Sequence, residues 1–184
     1  GLVGSEMCIR DRGRIHHHCS VSTNTFRCAH RKPNLAQCPA DKEFRELFTA
    51  SPRMTMVGAD LSGIELRMLA HYLGRYDGGR YADILLNDDI HQVNADKIGI
   101  TRRQVKTVTY AFLYGAGNEK LGTSYDNSLQ PKEARKKGSE IRTAFVSAIT
   151  GLSDLLDAVS NKSTNGYLLA CDGRRVLVDS PHKG

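Results

Sequence analysis

The 184 residues contain no apolar run approaching the ~18 residues that a membrane-crossing helix requires. No segment reads as a charged-then-apolar secretion signal, and there is no internal repeat or low-complexity tract. A helical membrane span and a solenoid are thereby excluded within these residues. Cysteine is sparse: Cys8, Cys19, Cys28, Cys38 and Cys171 are odd in number and form no CxxC pair. That argues against a disulfide framework and for reduced thiols in a cytosol-like compartment. A zinc set drawn from Cys19, Cys28, Cys38 and His30 fits no common zinc spacing and is set aside. Acidic residues fall short of basic ones, 20 against 26, giving a net charge of +6 and a pI near 9.1. The excess favours a polyanionic partner, although a plain solvated surface has the same signature. Hydrophobic content of 40% and charged content of 25% suffice for a globular core.

The most informative stretch is Thr101 to Gly117, TRRQVKTVTYAFLYGAG. Arg102, Lys106, Tyr110 and Tyr114 stand four apart, so a helix aligns them on one face over about 18 Å. Val105, Val108 and Phe112 form the opposing apolar stripe. Thr101 and Gln104 are spaced as a capping box, and Gly115 and Gly117 supply a stop. Cations near a helix N-terminus suit phosphates, while tyrosine rings further along suit a sugar or base. The alternative is a solvated basic face beside half-buried tyrosines.

Residues 13–39 are polar, with Arg14, Arg27, Arg31 and Lys32 among Ser, Thr and Asn, and read as short extended pieces and loops. They suit either a nucleic-acid backbone surface or a solvated loop region. Asp41 to Phe48 reads as a short helix. Met54 to Ala59 reads as a buried strand with Asp60 at its end, placed either to bind a metal or to cap the next helix. Ile64, Met68 and Leu69 are the expected buried stripe of that helix. Gly78-Gly79 is a turn, Tyr81 to Leu86 a helix, and Asp88-Asp89 opens another helix through Ile98. Pro131 starts a basic helix that Gly138 is expected to interrupt, and Ile141 to Val159 forms a second one. After a loop over Ser160 to Gly166, Tyr167 to Val178 reads as a hairpin with Asp172-Gly173 in a type I′ turn.

DLSGIELRMLAH (Asp60 to His71) and RRQVKTVTYAFLYG (Arg102 to Gly115) resemble the first two sequence motifs of family A DNA polymerases, closest in detail to the phage-replicase branch. GRIH at 13–16, PNLAQCP at 33–39, NDDIH at 87–91, FLYGAGNEKLG at 112–122 and DGRRV at 172–176 extend the resemblance over residues 13–184 in order. It implies an α/β (α+β) right hand: a partial palm with an antiparallel sheet over 13–74, and mainly helical fingers over 75–184. Residues 1–12, including SEMCIRDR, are similar to a sequencing adapter and are expected to be an assembly scar.

The implied activity is template-directed transfer of a dNTP onto a primer 3′-hydroxyl, with two Mg²⁺ ions, primer–template DNA and no membrane partner. Any processivity factor stays open, and a bacterial or phage-infected cytoplasm is the implied location. By resemblance Asp60 is the metal-bridging catalytic aspartate, with the Leu61 carbonyl as a further ligand. Glu65 blocks the ribose 2′-position, while His91, Arg102 and the catalytic Lys106 contact the triphosphate. Tyr110 meets the incoming sugar and Tyr114 the templating base, and Arg27 and Asn34 contact the primer–template. Phe26 and Ala111 stand where glycine is usual. No His-Asp-Glu run, the family's second catalytic segment, occurs in these residues, so the isolated chain is expected not to polymerise while its parent does. The alternatives are a single-subunit RNA polymerase, against which Glu65 argues, and a non-catalytic DNA-binding remnant.

Overall fold

The computed structural model describes residues 9–10, 14–23 and 26–178. The chain forms two compact units, residues 1–60 with 165–184, and residues 61–164. The expected scar over 1–12 lies outside the described residues except at 9–10.

The second unit is helical and contains every buried hydrophobic residue among those described. Its helices are α2 (Ile64–Asp77), following a short α1 (Lys42–Arg45) in the first unit, then α3 (Arg80–Asn87), α4 (Ile90–Ile98), α5 (Arg102–Leu113), α6 (Asn118–Tyr125), α7 (Pro131–Ala148) and α8 (Leu152–Ser163). On α2 the buried residues are Leu66, Leu69, Ala70 and Leu73, an i, i+3, i+4, i+7 set. This corrects the expected stripe. Ile64 and Met68 are 40% and 42% exposed, because they lie about 160° round the helix from Leu66. Phe112 and Phe145 pack at 4.8 Å between ring centroids and join α5 to α7 in the core.

Two further corrections concern glycines and helix ends. Gly138 does not interrupt α7, which runs unbroken to Ala148; the break falls at Ile149 to Gly151, with Gly151 at φ 77°. Gly138 is buried where α7 crosses α6. On α8 only Leu152 is fully buried, and Leu156 is exposed. The helix also extends to Ser163, into the expected loop.

Among its described residues the first unit holds three two-stranded antiparallel ribbons. They are β1 (Ile9–Arg10) with β2 (Arg14–Ile15), β3 (His18–Ser20) with β4 (Ala29–Arg31), and β5 (Tyr167–Leu169) with β6 (Arg175–Leu177). Met54 to Ala59 is not a strand: Met54, Met56 and Val57 are 72%, 61% and 88% exposed. None of the three ribbons includes this segment, and an extended segment without a ladder partner leaves its backbone groups to solvent. The helix expected over Asp41 to Phe48 shrinks to the single turn of α1, with Phe44, Leu47 and Phe48 exposed. The final hairpin forms, but not through a type I′ turn. The Ala170 N–H donates to the Arg174 carbonyl and Gly173, at φ 80°, closes the loop, while Asp172 does not take positive φ. That is the three-residue loop with its last residue left-handed.

Tyr81 is 4% exposed, and its hydroxyl finds no hydrogen-bond partner among the described residues. Burial pushes its ionisation up to about 12, with Asn94 pulling the other way. The folded value is raised, so this contribution to stability is complete below about pH 10 and is lost as pH rises toward 12. Tyr81→Phe should be neutral or stabilising by up to about 1 kcal/mol at pH 7. It should also flatten the alkaline loss, as read from urea midpoints at neutral and alkaline pH. An unchanged alkaline slope would contradict the assignment.

Candidate nucleotide-binding face

The ladder of basic and aromatic residues forms on α5 as its spacing requires. The Thr101 hydroxyl accepts from the Gln104 N–H at 3.3 Å, and the Gln104 side chain accepts from the Thr101 N–H at 3.1 Å, so the capping box is complete. Val105, Val108 and Phe112 are buried as expected, together with Thr109. Anchoring that side turns the other outward: Arg102, Lys106 and Tyr114 are exposed and Tyr110 is half-buried. Gly115, at φ 74°, ends the helix just past the last ring.

Neighbouring elements add to this face. Asp89 caps α4, its Oδ1 accepting from the His91 and Gln92 N–H groups at 3.1 and 3.2 Å. Its Oδ2 accepts from Arg102 Nε at 2.6 Å. Arg102 foremost, then the two N–H groups, hold the Asp89 carboxyl below the usual range. Cap and ion pair together give Asp89 a structural role. His91 lies with its ring centroid 6.2 Å from that of Tyr110. Burial lowers its pKa, Asp89 opposes this, and Arg102 and Lys106 push it further down. The imidazole is therefore biased to the neutral form. At the other end of the ladder the Tyr114 hydroxyl donates to Glu65 Oε1 at 2.8 Å. This joins α5 to the first turn of α2 and fixes a carboxylate beside the last ring.

Thus Glu65, His91, Arg102, Lys106, Tyr110 and Tyr114 all belong to the second unit and lie on or beside one helix face. Sequence reasoning missed the Asp89–Arg102 pair, because no spacing rule links a cap to a side chain 13 residues on. It also missed Arg142, which donates to Asn118 Oδ1 at 2.8 Å and to the Ala116 carbonyl, and stacks over Phe112 at 5.4 Å. Arg142 thereby holds the turn that follows Tyr114. Leu61 is exposed at the start of the second unit. In the first unit Asp60 is exposed and makes no ion pair among the described residues. Arg27 and Asn34 are exposed as well; Asn34 Oδ1 caps the turn at Leu35–Gln37 by accepting from the Ala36 N–H at 3.2 Å. Phe26 takes φ 58°, a backbone conformation that favours glycine, which is why glycine suits this position in the pattern the sequence resembles. The Arg174 guanidinium sits 4.5 Å from the Phe26 ring centroid.

The family model for DNA polymerase family A matches residues 4–183. The chain belongs to DNA polymerase family A. It is 32% identical over 206 residues to the DNA-directed DNA polymerase of Escherichia phage T7, covering 95% of this chain and 28% of that protein. Against the DNA-directed DNA polymerase of Escherichia phage Phieco32 it is 35% identical over 148 residues, 66% of this chain and 23% of the relative. This family A chain therefore spans about a quarter of the length of such relatives. Among solved structures it is similar to the POL domain of Pol1 from M. smegmatis in complex with DNA primer-template and dNTP. The TM-score is 0.68 at 24% identity, over 98% of this chain and 33% of that one. The mixed helical architecture with small antiparallel sheets is that of part of a polymerase domain.

Proposed function

We propose that this chain is the nucleotide-selecting part of a template-directed DNA polymerase that joins a dNTP to a primer 3′-hydroxyl and releases pyrophosphate. The observation that carries the reading is the outward ladder Arg102, Lys106, Tyr110 and Tyr114, with Glu65 bound at its far end. Arg102 and Lys106, with the neutral imidazole of His91 as a donor, bind the triphosphate; Tyr110 meets the sugar, and Tyr114 the templating base. Arg27 and Asn34 contact the primer–template. Residues 13–74 are palm and residues 75–184 fingers. Asp60 and the Leu61 carbonyl are hard oxygen donors that fit Mg²⁺, and an exposed carboxylate suits an ion that takes the rest of its shell from substrate and water. Divalent metal ions, which family A polymerases use in general, would be held there by Asp60 and the Leu61 carbonyl and would supply charge stabilisation when bound.

Titrating the 184-residue chain with a fluorescent 2′-deoxynucleoside triphosphate tests the reading. Binding should weaken steeply with salt and at least tenfold in Lys106→Ala. Equal binding by that variant, or a dNTP held no better than inorganic phosphate, would remove the basis of the proposal.

Glu65 selects the sugar. Its carboxylate, fixed by Tyr114, occupies the space a 2′-hydroxyl would need and presents an acceptor that the hydroxyl cannot meet without a clash. In the full-length polymerase Glu65→Ala should raise ribonucleotide incorporation relative to deoxyribonucleotide by about tenfold or more. Tyr114→Phe, which releases the carboxylate without deleting it, should give a smaller rise. Unchanged sugar discrimination in both variants would mean that the pair is only structural, and would favour an RNA polymerase.

A further inference from the structure

The hairpin of β3 and β4 brings together side chains that the polymerase reading does not use. Alternation along a strand sends residues two apart to the same side. One further donor precedes each strand, His17 one residue before β3 and Cys28 one residue before β4, and continuing the alternation puts His17 on the side of Cys19 and Cys28 on the side of His30. The register pairs Cys19 directly with His30, so both dipeptide steps, His-x-Cys and Cys-x-His, fall on a common side of the ribbon. The contacts agree. Cys19 Sγ is 2.9 Å from His17 Nε2 and 3.4 Å from His30 Nδ1, and one ligand atom from each of the three lies within 4.8 Å of the others. The His17 and His30 rings stack with centroids 5.1 Å apart. Cys28, on the same hairpin, lies outside that cluster of three.

We propose that His17, Cys19 and His30 form a Zn²⁺ site that staples this hairpin, with Cys28 moving in as the fourth, tetrahedral ligand. Two imidazoles and two thiolates are the donor set zinc favours, with Zn–S near 2.3 Å and Zn–N near 2.0–2.1 Å, so sulfur and nitrogen ligands sit about 3.6 Å apart along a tetrahedral edge. The two observed S···N distances need only small adjustments to reach that value. A cation would also reverse the cost of bringing two thiols together, since a coordinating thiol is deprotonated. The surroundings supply the reason for a staple. Over 14–23, 26–60 and 165–178 no residue of the first unit is buried, so this hairpin has no apolar core to hold it. Small elements without a core are commonly held by a metal or by disulfides. The spacing, eight residues between the cysteines, matches no common zinc finger. That is why sequence rules pass over it, and why they offer Cys38 and omit His17.

The test uses the reduced, metal-free 184-residue chain titrated with Zn²⁺ and, in parallel, with Co²⁺. One equivalent of metal should bind, and the cobalt form should show thiolate-to-metal charge transfer and tetrahedral d–d bands. Cys19→Ser and His30→Ala should each lower affinity by about 100-fold, and Cys28→Ser and His17→Ala by at least tenfold. The helical circular dichroism of the second unit should stay unchanged, which shows that these variants remain folded. His16→Ala/His18→Ala, which breaks the three-histidine run but leaves the four donors, should bind as the parent does, as should Cys38→Ser. Octahedral cobalt spectra, full binding by Cys19→Ser or Cys28→Ser, or loss of binding in the His16/His18 variant would each overturn the site.

Discussion

In the full-length polymerase Lys106→Ala should lower kcat/KM for dNTP incorporation by about 10²- to 10³-fold, the loss expected when a fixed charge aimed at a transferring phosphoryl group is removed. The magnitude rests on how the charge is held. Lys106 stands on a helix whose opposite side is locked into the core by Val105, Val108 and Phe112, so its base does not move. Among the described residues no carboxylate pairs with it, and its charge is not neutralised before substrate arrives. Arg102 differs. It is already bound to Asp89 at 2.6 Å, and on the proposed reading that pair is exchanged for the triphosphate. Both partners are about half exposed, so the exchange costs little. Arg102→Ala should therefore cost less than Lys106→Ala. Asp89→Asn keeps a good N-cap on α4 while removing the competing charge, so it should tighten dNTP binding several-fold at low salt. Because Arg102 holds the Asp89 carboxyl low, the pair forms above the usual carboxylate range and is lost only as pH falls through the depressed value. The Asp89→Asn gain should accordingly persist across neutral pH. Pre-steady-state incorporation kinetics on the three variants check the order, and equal effects of Lys106→Ala and Arg102→Ala would show that the two cations are not distinguished in this way.

What the sequence made legible was local and periodic. The capping box at Thr101, the buried stripe of α5, the Gly78-Gly79 turn and the outward ladder follow from spacing within one helix, and the structure bears them out. Errors arose where partners are distant in sequence. Met54 to Ala59 has strand composition, yet a strand exists only beside another, and composition does not name that neighbour. On α2 two apolar stripes compete, and which one is buried depends on the helices that pack against it, which favour Leu66, Leu69, Ala70 and Leu73. The Tyr114–Glu65 and Asp89–Arg102 pairs join different helices and have no sequence period. Gly138 is the sharpest case, because helix propensity and packing give it opposite signs.

Gly138→Ala should destabilise the second unit by about 3 kcal/mol or more, although helix propensity alone predicts a gain of about 1 kcal/mol. A Cβ at position 138 would fall 1.7 Å from the Asn118 carbonyl oxygen and 2.9 Å from the Gly122 nitrogen. Both are backbone atoms of α6, so no rotamer change relieves the overlap, and α6 and α7 must move apart. Gly122 makes the reciprocal contact, with its own Cβ position 1.9 Å from the Ala134 carbonyl oxygen. Gly74, on α2, is the internal control: its Cβ would meet nothing within 4 Å, so Gly74→Ala should stabilise by about 0.5–1 kcal/mol. Urea unfolding followed by helical circular dichroism separates the two, and two substitutions of the same kind with the same sign would refute the packing account. The damage should also reach the nucleotide face. Separating α6 from α7 pulls Asn118 away from Arg142, which lies on α7 and holds the turn after Tyr114 through the Ala116 carbonyl. Freed from that hold, the end of α5 no longer fixes Tyr114 against Glu65. Gly138→Ala should therefore weaken dNTP binding and sugar discrimination even where the unit stays folded, and Arg142→Ala, which leaves the glycine contact intact, should reproduce the functional loss with much less loss of stability.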